Sequence, residues 1–372
     1  MTSETRQQAA PAEVAGARPP VRRRGRFAGL VVALSVAVVA STWLAVSIGA
    51  IPVALSDAWG IVADRVVPGV VPGVVPRTWT PVQEQIVWEF RLPRALLALL
   101  VGAGLAVVGA VLQALVRNPL ADPFLLGVSS GASFGAVLVL ILGASALGGL
   151  SLSAAAFAGS LLALVLVYVL AQRSGRITPS RLVLAGVALA YLFQAAYSFV
   201  LQLAQSGRAA QQVLFWLMGS LGGARWDVLP LPALVLVAGV AYLLLQYRPL
   251  NALAAGEETA ISLGVNVNRF RLSLFVLTSL LVGVMVATSG AIAFVGLIVP
   301  HAARLLVGAD HRRVLPVTAL LGAVFLQLVD IAARTVNAPQ ELALSIVTAL
   351  FGVPFFLWLL RRRSADRAVN VS

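Results

Sequence analysis

Ten apolar runs of 18–25 residues set the limits on this fold, at 27–50, 92–116, 121–143, 149–171, 181–205, 228–247, 269–289, 291–308, 313–335 and 340–362. At about 1.5 Å per helical residue such a run reaches roughly 27–38 Å, enough to cross a bilayer's hydrocarbon core. Composition closes the soluble alternative. Of 372 residues, 60% are hydrophobic and 11% charged, against about 25% charged in a soluble domain. Too little polar surface remains to cover a water-facing body. The chain reads as an all-α polytopic membrane protein of about ten transmembrane helices.

The first run, FAGLVVALSVAVVASTWLAVSIGA, invites comparison with a secretory signal. It is longer than a usual signal core and follows a long polar segment, so it reads as an uncleaved span. Residues 1–26, with Arg22-Arg23-Arg24-Gly25-Arg26, read as a disordered cytoplasmic tail. Residues 27–363 read as one transmembrane domain, and 364–372 as a second cytoplasmic tail. The stretch 51–90 carries four acids and the repeat VVPGVVPGVVPR. Its prolines break helices, leaving an outer loop with a short helix around 55–66. Residues 209–221 are too short to span and read as an interfacial helix.

All 27 basic residues are arginine, and the net charge is +13. With the N-terminus inside and ten alternating spans, only Arg65, Arg77, Arg91, Arg94, Arg208, Arg225 and Arg334 lie outside, and the other 20 lie inside. That asymmetry is the positive-inside rule for an N-in, C-in chain. Nucleic acid is excluded as a partner, because the arginines sit in gaps between apolar runs rather than on one polar face.

Chemistry is hard to place. There is no cysteine, hence no disulfide, Cys-ligated zinc or iron–sulfur site. No phosphate-cradling, zinc-protease or nucleophile-elbow motif is present. The two histidines, His301 and His311, lie ten residues apart with no third ligand nearby, so no metal, cofactor or enzyme activity is implied. Pro300 reads as a kink before His301, with Arg304 able to snorkel inward. His311, Arg312 and Arg313 read as an inside turn. For ion coupling the candidates are Asp330, paired with Arg334 one turn on, and Glu341 at the start of the last span. A proton-coupled secondary carrier using these two acids is therefore the alternative reading.

Between spans six and seven, residues 248–268 are polar. Glu257 and Glu258 fit the first turn of a short helix, and Gly264 fits its C-terminal cap. About two turns of helix do not stand alone in water. The segment docks either on its own bundle or on a partner. Small residues dominate GAGLAVVGA (102–110) and GVSSGASFGA (127–136), which fits close helix packing in lipid.

RLPRALLALLVGAGLAVVGAVLQALVRNPLADPFLLGVSSGASFGA (91–136), GEETAISLGVN (256–266), GAIAFVGLIVPHAARLLVGADHRRVLP (290–316) and the segment from Asp330 to Leu360 resemble the FecCD-type permeases of type II ABC importers for ferric siderophores, haem or vitamin B12. The resemblance covers about residues 51–363. It implies ten helices in two halves of inverted topology and a second permease subunit, identical or homologous. It also implies cytoplasmic ATP-binding subunits and an extracytoplasmic substrate-binding protein, with an iron–siderophore complex as the first expected cargo.

By motif position the resemblance assigns ATPase coupling to Glu257, Glu258, Ala260, Leu263, Gly264 and Arg269, a cytoplasmic turn to Asn118, Pro119, Asp122 and Pro123, and an outer mouth to Trp216, Gly219, Ser220 and Trp226, with Trp216 and Trp226 alternatively read as interfacial anchors. Outside arginines Arg65, Arg77, Arg208 and Arg225 would face a binding protein's acids. Gly352 and Pro354 would kink the last span. The chain departs from the family pattern at Ala343 and Ser345, where a proline and a glycine are usual. The start of the last span is therefore expected to be stiffer.

Overall fold

The computed structural model describes residues 20–49, 51–66, 77–173, 176–204 and 206–369. The proline repeat within 67–76 and the tail before residue 20 lie outside them. Among the described residues, seven helices are long and apolar enough to cross a membrane, and three shorter apolar helices bring the number to ten. In chain order the helices are α1 (Pro20–Ser47), α2 (Leu55–Val66), α3 (Pro81–Gln85), α4 (Leu92–Val116), α5 (Val128–Leu142), α6 (Leu152–Ala171), α7 (Pro179–Gln202), α8 (Gly207–Leu217), α9 (Pro230–Leu245), α10 (Tyr247–Ala255), α11 (Glu257–Ser262), α12 (Val267–Ser289), α13 (Val295–Val307), α14 (His311–Thr335) and α15 (Leu344–Val369). A π-helical turn, Ile86–Arg91, carries α3 into α4. A two-residue antiparallel ladder pairs Gln172 with Ile177 between α6 and α7.

Several boundaries differ from the sequence reading. The helix of the first span begins at Pro20, inside the stretch read as a disordered tail. The last helix continues to Val369, through most of the stretch read as a C-terminal tail. The inner segment holds two helices rather than one, because Gly256 breaks the run at φ +148°. His311 is the first residue of α14 rather than part of a turn.

α4 is the axis of the bundle: 83% of its apolar window is buried, against 17% for α1. The helices around it repeat in two halves, α4–α7 and α12–α15. α4 packs along α14, and α12 packs along α6. The second helix of each half is short, about 23 Å for α5 and 20 Å for α13. Each is preceded by one residue in the left-handed region, Gly127 at φ +70° and Phe294 at φ +69°. The non-helical stretch completes the crossing at the inner end of the first half and at the outer end of the second. Irregular backbone at membrane depth is tolerated only where protein covers it, and Ala121, Leu126, Ala291 and Ile292 are all buried.

Glycines bring the axis helices into backbone contact. A Cβ at Gly102 would lie 2.2 Å from the Gly322 carbonyl oxygen of α14, and one at Gly109 would lie 1.9 Å from the Gly296 oxygen of α13. In lipid, where apolar surface gives helices no reason to associate, this approach supplies dispersion contacts and lets polar groups meet. α1 joins by such groups: Gln327 accepts from the Ser41 hydroxyl at 2.5 Å and donates to Thr42 Oγ1 at 2.8 Å and to the Ala95 carbonyl at 3.1 Å.

Candidate functional site

At the outer face the sequence predicts a self-contained Asp330–Arg334 pair. The structure builds a larger cluster. Asp330 is fully buried; its carboxylate accepts from Arg94 Nε at 2.9 Å and forms an ion pair with Arg334 Nε at 3.1 Å. The same Arg94 grips Glu341 with both terminal nitrogens, at 2.8 and 2.9 Å. Arg334 also donates to the Ala45 and Ile48 carbonyls at 2.9 and 3.1 Å. Arg91 donates to the Val46, Ser47 and Ile51 carbonyls. Two guanidiniums thus cap the C-terminal carbonyls of α1, where the helix dipole favours positive charge.

Arg94 is the residue that sequence reasoning missed. Its signal was a fourth outside arginine placed three residues into a span. Glu341 is half exposed and Asp330 keeps Arg334, so Glu341→Gln is expected to cost no more than about 1 kcal/mol in thermal unfolding.

Beside the cluster, three backbone segments meet. The Ser220 amide donates to Ser289 O at 2.8 Å, and the Leu344 and Ser345 amides donate to Gly219 O and Met218 O, each at 3.0 Å. The end of α8 thereby caps the start of α15. The Ser345 hydroxyl donates to Ala291 O at 3.0 Å and accepts from the Ala293 amide at 3.2 Å. The Ser345 side chain thereby ties α15 to the break before α13.

Trp216 and Ser220 line a cavity of about 740 Å³ with Gln212, Phe215 and Thr288. Gly219, at φ +80°, leaves room for Ile292 and the Ala291 carbonyl. Trp226 packs against Trp88 with the rings tilted by 38° and their centroids 4.8 Å apart, and its Nε1 donates to the Trp88 backbone carbonyl at 2.9 Å. It lines an adjoining outer cleft of about 940 Å³, which shares Arg225 and Asp227 with that cavity. Three of the four outside arginines read as free for a partner are already paired: Arg65 with Glu84, Arg77 with Asp64 and Arg225 with Asp227.

At the inner face α10 and α11 form a platform. Arg271, nearly buried, holds Glu257 at 3.0 Å. Asn251 on α10 donates to Asp310 at 2.8 Å, while its carbonyl oxygen accepts from the His311 amide at 2.9 Å and contacts His311 Nδ1 at 2.7 Å. Both partners of that oxygen must be donors, so Nδ1 carries the proton. The buried His311 therefore anchors α14 to α10.

α11 ends in a Schellman cap. The Val265 amide donates to Ala260 O and the Gly264 amide to Ile261 O, both at 2.9 Å, with Gly264 at φ +78°. This geometry fulfils the C-cap expected from sequence. Ala260 faces the bundle and is fully buried, whereas Ile261 and Leu263 are 58% and 69% exposed. Glu258 and Arg269 are exposed too.

The inner turn is built from local bonds. Arg117 ends α4 in a left-handed conformation. Asn118 Oδ1 accepts from the Leu120 amide, and Asp122 Oδ1 accepts from the Phe124 amide, both at 2.9 Å. Pro119 borders the cleft at Arg117 and Arg304. Pro123 packs on Gly296, whose carbonyl accepts from Gln113. Arg304 in turn donates to Gln113.

α13 runs through Pro300 and α15 through Pro354 as single helices. Gly352, read as a kink residue, leaves room for the Phe294 ring: a Cβ there would meet it at 2.5 Å. The first half repeats the arrangement, with Gly127 against Gly186 of α7. His301 stacks edge-on against Phe355 at 5.9 Å.

A bundle of inverted halves, with charged groups clamped at its outer end and a short helix presented inside with Ile261 exposed, fits a multi-pass permease. The model of the FecCD transport family matches residues 36–362, and the chain belongs to that family. It is 47% identical over 278 residues to the cobalamin import system permease BtuC of Halobacterium salinarum, covering 75% of this chain and 74% of the relative. It is 44% identical over 277 residues to the vitamin B12 import system permease BtuC of Salmonella paratyphi A, covering 74% and 84%. A metal-chelate type ABC transporter in an inward-facing conformation superposes with a TM-score of 0.77 at 34% identity, over 90% of this chain and 99% of that one.

The chain is thus the permease subunit of an ABC importer in the cytoplasmic membrane. Permeases of this class work with separate ATPase subunits and a partner permease. The secondary-carrier alternative falls with this, and the geometry agrees, since Arg94 holds both of the acids it required.

Proposed function

We propose that this subunit, paired with an identical or homologous one, encloses a path for a bulky metal chelate, and that α11 is where a cytoplasmic ATPase engages it. The observation that carries the coupling assignment is the split surface of α11. Ala260 and the Glu257–Arg271 pair fasten it to the bundle, while Ile261 and Leu263 face outward from a six-residue helix on the inner side. Exposed apolar residues on a helix this short fit a protein groove better than water. Glu258, Gly264 and Arg269 rim that contact.

On the outer side, an extracytoplasmic binding protein would deliver cargo to the mouth around Trp216, Gly219, Ser220 and Trp226. The inner turn Asn118–Pro123 would hold the break before α5 in place. The cobalamin named for the relatives makes a corrinoid the first cargo to test. An iron–siderophore complex, expected from the resemblance, is the second, and the metal-chelate type of the structural neighbour accommodates both.

The test is uptake into proteoliposomes holding the permease, its ATPase and its binding protein, with cyanocobalamin or a ferric siderophore as cargo. ATP-dependent uptake of one of them is expected, and uptake driven by a proton gradient without the ATPase would overturn the reading. Gly264→Val strains the left-handed cap by about 1–2 kcal/mol without meeting any neighbour. It is expected to leave insertion intact and to lower ATPase co-purification and uptake at least about fivefold, an equilibrium shift of that same size. Wild-type values for both would remove the coupling assignment.

A further inference from the structure

A second concave site lies at the inner end of α1, away from both surfaces above. A cleft of about 360 Å³ separates α1 from the end of α13 and the start of α14, lined by Arg26, Phe27, Leu30, Leu306, Val307, Gly308 and Arg313. Its rim carries two guanidiniums, and among the described residues no carboxylate pairs with either. Arg313 is held in place, its guanidinium 5.7 Å over the Phe27 ring. The walls are aliphatic, and Leu306 is 56% exposed. A Cβ at Gly308 would find nothing within 4 Å, so the cleft is open there. α1 itself is the least buried of the long apolar helices among the described residues, so most of its surface is left to lipid.

A cationic rim over apolar walls, at the level where the inner leaflet's headgroups lie, suits an amphiphile with an anionic head. A soluble anion would use the rim and leave the walls wet. A zwitterionic lipid would bring its own cation to two arginines. Basic pockets between helices on the cytoplasmic side are where anionic headgroups are held. We propose that this cleft binds one anionic phospholipid of the inner leaflet, its phosphodiester between Arg26 and Arg313 and an acyl chain along Leu30 and Leu306. The inference is independent of the cargo and of the ATPase contact.

The test is native mass spectrometry of the full-length permease, delipidated in detergent and titrated with phosphatidylglycerol, phosphatidylcholine or inorganic phosphate. Wild type is expected to retain phosphatidylglycerol about tenfold better than phosphatidylcholine, the order set by two arginines at an anionic surface. Arg26→Gln with Arg313→Gln should abolish that preference. Arg248→Gln, an exposed arginine on the same face, should keep it.

Preference that survives the double variant, or falls equally in Arg248→Gln, would overturn the site. Displacement of the lipid by inorganic phosphate alone would mark a soluble-anion site and would equally overturn it. Should the double variant not fold, the exposed Arg26→Gln carries the test: a loss of about threefold supports the site, and no loss refutes it.

Discussion

Gly109→Val is expected to remove nearly all folded protein from the membrane fraction. Even the first carbon of the new side chain would sit 1.9 Å from the Gly296 carbonyl oxygen and 2.5 Å from its Cα. Those atoms are backbone and have no rotamer to escape into. α4 and α13 would have to part by more than an ångström, at the point where Gln113 binds the Gly296 carbonyl and Pro123 packs on Gly296. Overpacking a core costs typically 1–3 kcal/mol and at times more. Here it also opens a buried hydrogen bond, so a loss of about 4 kcal/mol or more is expected. Yield of monodisperse protein and its unfolding midpoint in detergent measure this. Gly207→Ala, with nothing within 4 Å, should leave both unchanged.

Arg94→Met should cost about 3 kcal/mol of unfolding free energy, at the low end for breaking a buried ion pair. Asp330 is fully buried and would keep only Arg334, which is already engaged with the end of α1. Glu341 would lose its grip at the same time, freeing the strap that leads into α15. Adding Asp330→Leu removes the orphaned carboxylate, so the double variant is expected to be more stable than Arg94→Met alone. A double-mutant cycle on the unfolding midpoints reads this directly. Additive losses would show that Arg94 acts by packing rather than charge.

The membrane architecture was legible because each span needs a continuous apolar run, and such runs leave no other solution. The inner helix cap was legible too, since a glycine after two acids and an apolar turn has few alternatives. What escaped the sequence has a common cause. Arg94, Ser345 and Asn251 act through partners from 52 to 247 residues away, and nothing local distinguishes them from a snorkelling arginine, a tolerated serine or a turn asparagine. The two short helices were hidden because their buried irregular flanks are as apolar as the helices themselves. The Asp330–Arg334 pair was found because it is local, and it was incomplete for the same reason.

The tie between α1 and Gln327 bears on how the chain is made. α1 is synthesised before α14, and its polar partner there arrives about 285 residues later. During that interval the first helix stands in lipid with two hydroxyls on its flank. Thr42 donates to the Val38 carbonyl of its own helix at 2.8 Å, and that carbonyl also lies 3.1 Å from the Ser41 hydroxyl, so Ser41 can donate there until Gln327 arrives to take its proton. The helix can insert early as a self-sufficient segment and be claimed by the bundle near the end of translation. The order of synthesis and the order of assembly are thus separated by two residues that can satisfy themselves before they bind anything else.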